Sequence, residues 1–254
     1  MADACQAVAA VVLPTYNERE NLAAMIAAIR SLPFMLDVIV VDDNSPDGTG
    51  ALADELARVD PGVQVIHRAG KLGLGTAYAA GFRCALTGGA ELICTMDADF
   101  SHDPGYLPAL LHGAQQNDLT IGSRYIHGGG VVNWGAWRKL LSWGANTIAH
   151  LVLGLQARDC TAGFRCYRRR VLETVDPASI RANGYSYLIE MLYYVERAGF
   201  TVGETPIIFA DRRLGQSKIS EDEIYRAMRT VARLALRRLK GRITRCVTRD
   251  PAPD

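Results

Sequence analysis

The stretch "LICTMDADFSH", residues 92–102, decides how this chain is read. An apolar run from Leu92 to Met96 breaks off at Asp97-Ala98-Asp99. Side chains alternate along a strand, so residues two apart share a side. Two carboxylates aimed the same way at the end of a buried strand repel each other, unless a cation lies between them or one takes a proton. The residues around the stretch must choose between those answers.

Outward from that point, short β-rich runs alternate with helical patterns. The periodicity predicts strands over 8–13, 37–41, 63–66, 92–96 and 119–122. It predicts helices over 18–31, 48–58, 74–86 and after Pro104. This alternation argues for an α/β fold, a mainly parallel sheet with helices on both faces. Ligands of such sheets bind beyond the carboxyl ends of the strands. After residue 122 the alternation weakens. Gly128-Gly129-Gly130 marks a loop, and Trp134, Trp137 and Trp143 cluster at the start of an apolar helix reaching about Leu153. A short strand over 160–167, a helix over 187–198, a strand over 201–210 broken at Pro206 and a last helix over 221–240 complete the expected order.

Every expected strand tip is polar, and all lie on one edge of the sheet. The first turn, Pro14 to Glu18, has no glycine, which excludes the G-x-G-x-x-G of a dinucleotide-binding fold. No P-loop sequence is present either. Pro14, Tyr16 and Glu18 suit a nucleobase, as a flat apolar surface beside a carboxylate. The plainer reading is a helix start, with Asn17 as cap and Glu20 at its third position. Asp42 and Asp43 open Asn-Ser-Pro-Asp-Gly, strong turn chemistry. Asp43 is also placed to take a ribose hydroxyl or a ring amine. For Asp97 and Asp99 a hard divalent cation is favoured over an acid/base dyad. The reason is the set of basic residues downstream: Arg124, Arg138, Arg165, Arg212, Arg213 and Lys218. Arg212 and Lys218 lie in "FADRRLGQSK", which reads as a flexible cationic lid. "DCTAGFR", residues 159–165, offers another carboxylate, a hydroxyl and an arginine. His102 reads as a turn residue, and Cys160 and Cys166 as packing on one strand face.

Composition bounds the partners. The 254 residues carry a formal net charge of +1, yet nine basic residues and no acidic one fall between Arg226 and Arg249. A basic tail on an acidic body suggests a polyanionic partner. The tail lacks the interleaved aromatic residues of a single-strand nucleic-acid binder. Six cysteines without a C-x-x-C pair suggest a reduced, cytoplasmic chain. The N-terminus lacks a signal peptide's basic start, and no uncharged apolar run reaches the ~20 residues that span a bilayer.

"LPTYNERENL", "VVDDNSPDGT", "KLGLGTAY", "MDADFSHDP", "GSRYIHGGG", "RDCTAGFRCYRR" and "FADRRLGQSK" occur in order over residues 8–240. Together they resemble the polyprenyl- and dolichyl-phosphate mannosyltransferases of glycosyltransferase family 2. The resemblance implies a GT-A fold, a GDP-mannose donor, a polyprenyl phosphate acceptor and Mg²⁺ or Mn²⁺. It places Pro14, Tyr16, Glu18, Val41 and Asp43 around the guanosine, and Asp97, Ala98 and Asp99 at the metal and diphosphate. Ser101 stands where some relatives have a Gln metal ligand, a longer reach than a hydroxyl has. Arg124, Arg212 and Lys218 match phosphate-handling positions. The implied chemistry is a single inverting displacement by a lipid phosphate, already anionic and in no need of a side-chain base. One GT-A catalytic domain over 1–240 follows, with a nucleotide-sugar half to about 122 and an acceptor half over 123–220. A basic amphipathic helix and tail over 221–254 would hold the protein on the cytoplasmic face of an anionic membrane, with an integral-membrane protein as a further candidate partner. Within that helix Met228, Val231, Ala232, Ala235 and Leu239 share a face, and Arg226, Arg229, Arg233 and Arg237 form a neighbouring stripe. A plain packed helix fits the same pattern. The competing functions are a UDP-sugar transferase of the same fold, a non-catalytic nucleotide-sugar sensor and a nucleic-acid binder.

Overall fold

Every strand and helix expected before residue 123 is found within two residues of its expected ends. The computed structural model describes residues 9–211 and 221–247, with side chains of the last helix described over 225–239. The first half runs β1 (Ala9–Thr15), α1 (Arg19–Arg30), β2 (Leu36–Asp42), α2 (Thr49–Val59), β3 (Val63–His67), α3 (Leu74–Thr87), β4 (Leu92–Thr95), α4 (Leu107–Gln116) and β5 (Leu119–Ser123). The second half runs β6 (Gly130–Val132), α5 (Ala136–Leu153), β7 (Arg165–Arg168), α6 (Arg169–Thr174), α7 (Tyr185–Arg197), β8 (Val202–Pro206), β9 (Ile208–Ala210) and α8 (Glu221–Val247).

The main sheet has the order β3-β2-β1-β4-β7-β5-β8. It is parallel except for β7, which runs antiparallel between β4 and β5. β1 shows why the sheet is buried on both faces. Ala10 and Val12 point into the core beneath α3 and α7, while Ala9, Val11 and Leu13 point into the core beneath α1 and α4. Chain connections leave β1 toward β2 and reach β4 only after β3, so strand order reverses between β1 and β4. Such a switch point opens a crevice at the carboxyl ends of its two strands. Pro14 to Glu18 and Asp97 to Asp99 lie at those two ends.

Three elements depart from expectation. The strand expected over 160–167 shortens to β7, because residues 160–164 wrap around the buried Arg165 guanidinium. Its Nε donates to the Ala162 carbonyl at 2.7 Å and its Nη2 to the Cys160 carbonyl at 3.0 Å. Cys160 and Cys166 therefore do not share a strand face; Cys166 instead faces Cys94 across β7 and β4. The 201–210 strand divides at Pro206. β8 joins the main sheet, and β9 pairs with β6 in a second, two-stranded sheet. The last helix packs on the domain. Val231 and Leu234 are buried, Arg233 donates to Glu190 on α7 at 2.8 Å, Arg237 donates to Tyr194, and Arg238 donates to the Val152 carbonyl of α5 at 3.0 Å. Two arginines of the expected basic stripe, Arg233 and Arg237, thus turn toward α7.

Candidate active site

The first two strand tips hold each other in shape. Three successive backbone amides, those of Asn17, Glu18 and Arg19, donate to Ser45 Oγ at 3.0 Å, Thr49 Oγ1 at 2.9 Å and Asp47 Oδ2 at 3.1 Å. Those of Glu18 and Arg19 are among the orphan donors that open a helix, satisfied here by a neighbouring loop. Asn17 is not the cap expected of it. It adopts φ 60°, a left-handed conformation that asparagine tolerates. Buried Asp42 accepts from Thr15 Oγ1 at 3.1 Å and from the Ser45 amide and hydroxyl at 3.0 and 2.5 Å. Asp42 is therefore the organiser of the turn, and its neighbour Asp43 is the one that faces the crevice. Asp43 accepts from Arg68 Nη1 at 2.5 Å, and Arg68 Nη2 reaches Thr76 Oγ1. Burial raises the Asp43 pKa above its ordinary value, although Arg68 opposes the shift. Lys71 places its ammonium 4.5 Å above the centre of the Tyr16 ring, a cation–π contact at the crevice wall.

At the tip of β4 the two carboxylates separate in role. Asp99 is buried and accepts from the Ser101 amide at 3.0 Å and the Ser101 hydroxyl at 2.6 Å. Ser101 is turned onto Asp99 and does not line the cavity. Between them Phe100 has φ 61°, which costs a bulky residue about 1–3 kcal/mol and is typically found where surroundings over-determine a functional turn. The Asp97 side chain keeps 37% exposure and lines the crevice. His102, expected to be a plain turn residue, is buried beneath it. Its Nδ1 accepts from the Asp97 amide at 2.9 Å, so the neutral ring carries its proton on Nε2. Its ring stacks on Phe164 at 5.0 Å and meets the edge of Phe209 at 5.3 Å. Burial lowers its pKa below the usual histidine value, despite Asp97 and Asp99. Among the described residues no group of three or more His, Cys, Asp or Glu is arranged to hold a metal. Two carboxylates that line the cavity still fit a hard divalent cation that takes its remaining oxygen ligands from substrate and water.

Across the crevice Arg124 follows β5. Its amide, Nε and Nη2 all donate to Asp159, at 3.0, 2.8 and 2.7 Å, and Nη2 also reaches Thr161 Oγ1 at 2.8 Å. Burial disfavours both charges. The pairing outweighs burial, raising the Arg124 pKa and lowering that of Asp159. Asn146 of α5 fixes the same loop by accepting from the Cys160 amide at 2.8 Å. Arg165, expected among the phosphate-binding cations, is fully buried and spends its donors on Ala162, Cys160, Leu188 and Tyr167. It props the loop and reaches no ligand. Arg138 lies 4.0 Å over the Trp134 ring and pairs with Asp211 at 3.1 Å.

One cavity of about 2050 Å³ joins these groups. Pro14, Tyr16, Glu18 and Asp43 line one end, and Asp97, Ala98, Asp99 and Arg124 line the middle. The other end runs between α5 and α8, along Trp137, Leu141, Ile148, Met228 and Val231. Val41 is not part of it; its side chain lies in the core under the sheet. Arg212, Arg213 and Lys218, the expected lid, lie outside the described residues. Arg68, His102 and Asp159 are the groups of this site that sequence reasoning passed over or left without a role.

A sheet of this order with an acid-x-acid turn in its crevice is the GT-A glycosyltransferase architecture. The chain belongs to glycosyltransferase family 2, whose family model matches residues 10–176. It is 48% identical to the polyprenol monophosphomannose synthase of Mycolicibacterium smegmatis, over 92% of this chain and 88% of that protein. It is 44% identical to the undecaprenyl-phosphate mannosyltransferase of Micrococcus luteus, over 89% of this chain and 93% of that protein. Among solved structures, the mannosyltransferase PcManGT of Pyrobaculum calidifontis, in complex with GDP-Man and Mn²⁺, shares the fold with a TM-score of 0.61 at 14% identity, over 98% of this chain and 67% of that one. The mannosyl-3-phosphoglycerate synthase of Rubrobacter xylanophilus gives a TM-score of 0.63 at 19% identity, over 98% and 79%.

Proposed function

We propose that this glycosyltransferase moves mannose from GDP-mannose to a polyprenyl phosphate, with inversion at the anomeric carbon. The observation that carries the reading is the two-ended cavity. Its polar end suits a nucleotide sugar, and its apolar end between α5 and α8 suits a prenyl chain. The names of the two relatives point the same way.

Glu18 and Asp43 accept from the amino and imino groups of guanine, beside Pro14 and the Tyr16 ring. Arg68 keeps the Asp43 carboxylate turned to the base. Asp97 and Asp99 would hold Mg²⁺ or Mn²⁺, with Ser101 and His102 fixing their direction. A cation bound there neutralises the diphosphate and eases departure of GDP. Arg124, with Arg212 and Lys218, draws the acceptor phosphate toward the sugar. The attacking oxygen is anionic at neutral pH, so the buried His102 takes no proton from it. Residues up to about 122 make the donor half, and 123–220 the acceptor half. The basic tail brings the enzyme to an anionic membrane on its cytoplasmic face, where an integral-membrane protein is a further partner.

The test is donor competition. Purified protein, Mn²⁺ and a short-chain, water-soluble polyprenyl phosphate should give mannosyl phosphate from GDP-mannose far faster than any product from UDP-glucose or UDP-N-acetylglucosamine. A UDP-sugar that outpaces GDP-mannose overturns the donor assignment.

A further inference from the structure

"KLGLGTAY", residues 71–78, is a stretch that the proposed function leaves without a role. From Leu74 on it forms the first turns of α3. Two glycines set how closely that helix lies. A Cβ on Gly75 would overlap the Tyr187 ring of α7, and one on Gly81 would overlap Val12 of β1. α3 is thereby pressed onto both α7 and the sheet. Tyr78 follows Gly75 by three residues, on the same side of the helix. Its ring stacks on Phe82 at 5.9 Å and leans on Tyr187 at 6.0 Å, so packing on both sides fixes its direction. Tyr78 is 1% exposed, and its hydroxyl has no hydrogen-bond partner among the described residues. A buried tyrosine hydroxyl usually finds a partner, and an unpaired one is costly. The Tyr187 hydroxyl is unpaired as well, but Tyr187 does not line the cavity, whereas Tyr78 does.

Asp97, His102, Gly163 and Leu188 line the cavity beside Tyr78. Gly163 belongs to "DCTAGFR", the loop that Arg165 props. Having no side chain, it leaves a gap. A Cβ there would stand 3.3 Å from Tyr78 Oη, 3.6 Å from His102 Cε1 and 3.8 Å from Leu188 Cδ1. The unpaired hydroxyl therefore borders a gap in the cavity wall. We propose that Tyr78 donates a hydrogen bond to a hydroxyl of the transferred hexose, and that Gly163 keeps the gap open for it. The inference rests on the mannosyl-transfer reading and adds the side chain that reads the sugar. The chemistry of the gap favours a neutral group. Its borders are a phenol, the edge of a neutral imidazole and a leucine methyl, with no cation among them. Burial, and after it the Asp97 charge, hold the phenol well above its ordinary pKa, so at neutral pH it is a protonated donor. An anionic phosphate oxygen there would be repelled by the same Asp97. A sugar hydroxyl accepts from the phenol without that penalty.

The experiment uses the full chain, the short-chain soluble acceptor, GDP-mannose and the singly deoxygenated GDP-mannoses. Tyr78→Phe should lower kcat/KM for GDP-mannose about three- to tenfold, the worth of one neutral hydrogen bond. Deleting the sugar hydroxyl that Tyr78 reads should cost the wild type a similar factor and cost Tyr78→Phe almost nothing further. The other deoxy positions should cost both enzymes alike. Melting temperature gives a readout apart from activity. Phenylalanine removes a buried unpaired donor, so Tyr78→Phe should melt no lower than the wild type. Gly163 has no left-handed backbone, so Gly163→Ala is conformationally allowed. Its methyl fills the gap and should lower kcat/KM about tenfold or more by displacing the sugar; adding Tyr78→Phe should then cost little. Equal losses at every deoxy position in both enzymes overturn the contact, as does a fully active Gly163→Ala enzyme. A Tyr78→Phe enzyme that melts lower yet transfers normally assigns the hydroxyl to a structural water, and overturns it too. A wild type that moves no mannose from GDP-mannose removes the proposed reaction and the contact with it. Transfer without coupling removes the contact alone.

Discussion

Replacing Asp159 by Asn tests how the Arg124 side of the cavity is held. Asp159 is fully buried and takes three bonds from Arg124, at 2.7 to 3.0 Å. Asn keeps one acceptor oxygen, but it loses the charge and turns an amide toward a guanidinium that has only donors. The Arg124 cation is then left buried without its counter-charge. Removing one partner of a buried pair typically costs about 3–5 kcal/mol. At about 2–4 °C per kcal/mol for a chain of this size, the melting temperature should fall by about 6–20 °C. Differential scanning calorimetry reads the loss. A double replacement, Arg124→Met with Asp159→Leu, should recover much of it, since no charge remains buried. The acid dependence follows from sign. The Asp159 pKa is lowered from 3.8 in the folded state, so its contribution is complete above about pH 4 and fades as pH falls through the depressed value. Wild type should therefore lose its advantage over Asp159→Asn in strong acid. A variant that melts within about 2 °C of wild type would refute the reasoning. So would an unchanged stability gap across the acid range.

Three further outcomes are expected. Asp99→Asn should lower transfer by about a hundredfold or more, weaken Mn²⁺ binding measured by electron paramagnetic resonance, and leave the melting temperature nearly unchanged; undiminished turnover in EDTA by the wild type would remove the metal from the scheme. His102→Asn can offer an oxygen where Nδ1 stood, so it should bind Mn²⁺ about tenfold more tightly than His102→Leu, which leaves the Asp97 amide without its acceptor. Arg68→Met releases Asp43 and should raise KM for GDP-mannose several-fold with little change in kcat; an equal fall in kcat alone would place Arg68 in the chemistry.

The parallel half of the fold was legible because its signals are local. β1 to β5 are short apolar runs ended by turn residues, and periodicity alone separates them from the helices between. The antiparallel β7 was not, since residues 160–164 look like strand until a buried arginine is seen to gather their carbonyls. The crevice residues were legible as a set, because strand tips of one parallel sheet must lie on one edge. Their partners were not. Arg68 meets Asp43 across 25 positions and Asp159 meets Arg124 across 35, and nothing in sequence ties either pair. His102 gave a local signal that any turn histidine gives. For α5 the sequence announced an apolar helix, but only packing tells which side of it the core takes.

The opening pair and the other acidic tips share one arrangement. At the end of β2, Asp42 accepts hydroxyl and amide donors from its own turn, and Asp43 next to it faces the crevice. At the end of β4, Asp99 accepts from Ser101, and Asp97 keeps its exposure to the cavity. Each tip thus has a carboxylate bonded into its own turn beside another presented to the cavity. Asp99 combines both positions, because it lines the cavity as well. A carboxylate satisfied by short, local donors holds its charge in a buried place at little cost. It also stiffens the turn that aims its neighbour. On the proposed metal reading, that division fixes one carboxylate of each pair and presents the other to a ligand. At the β2 tip Arg68 already pairs with Asp43, so the β4 pair is the one that a cation would serve. A divalent cation with the donor's diphosphate would, on the proposed reading, be met at that pair, opposite the Arg124 side of the cavity.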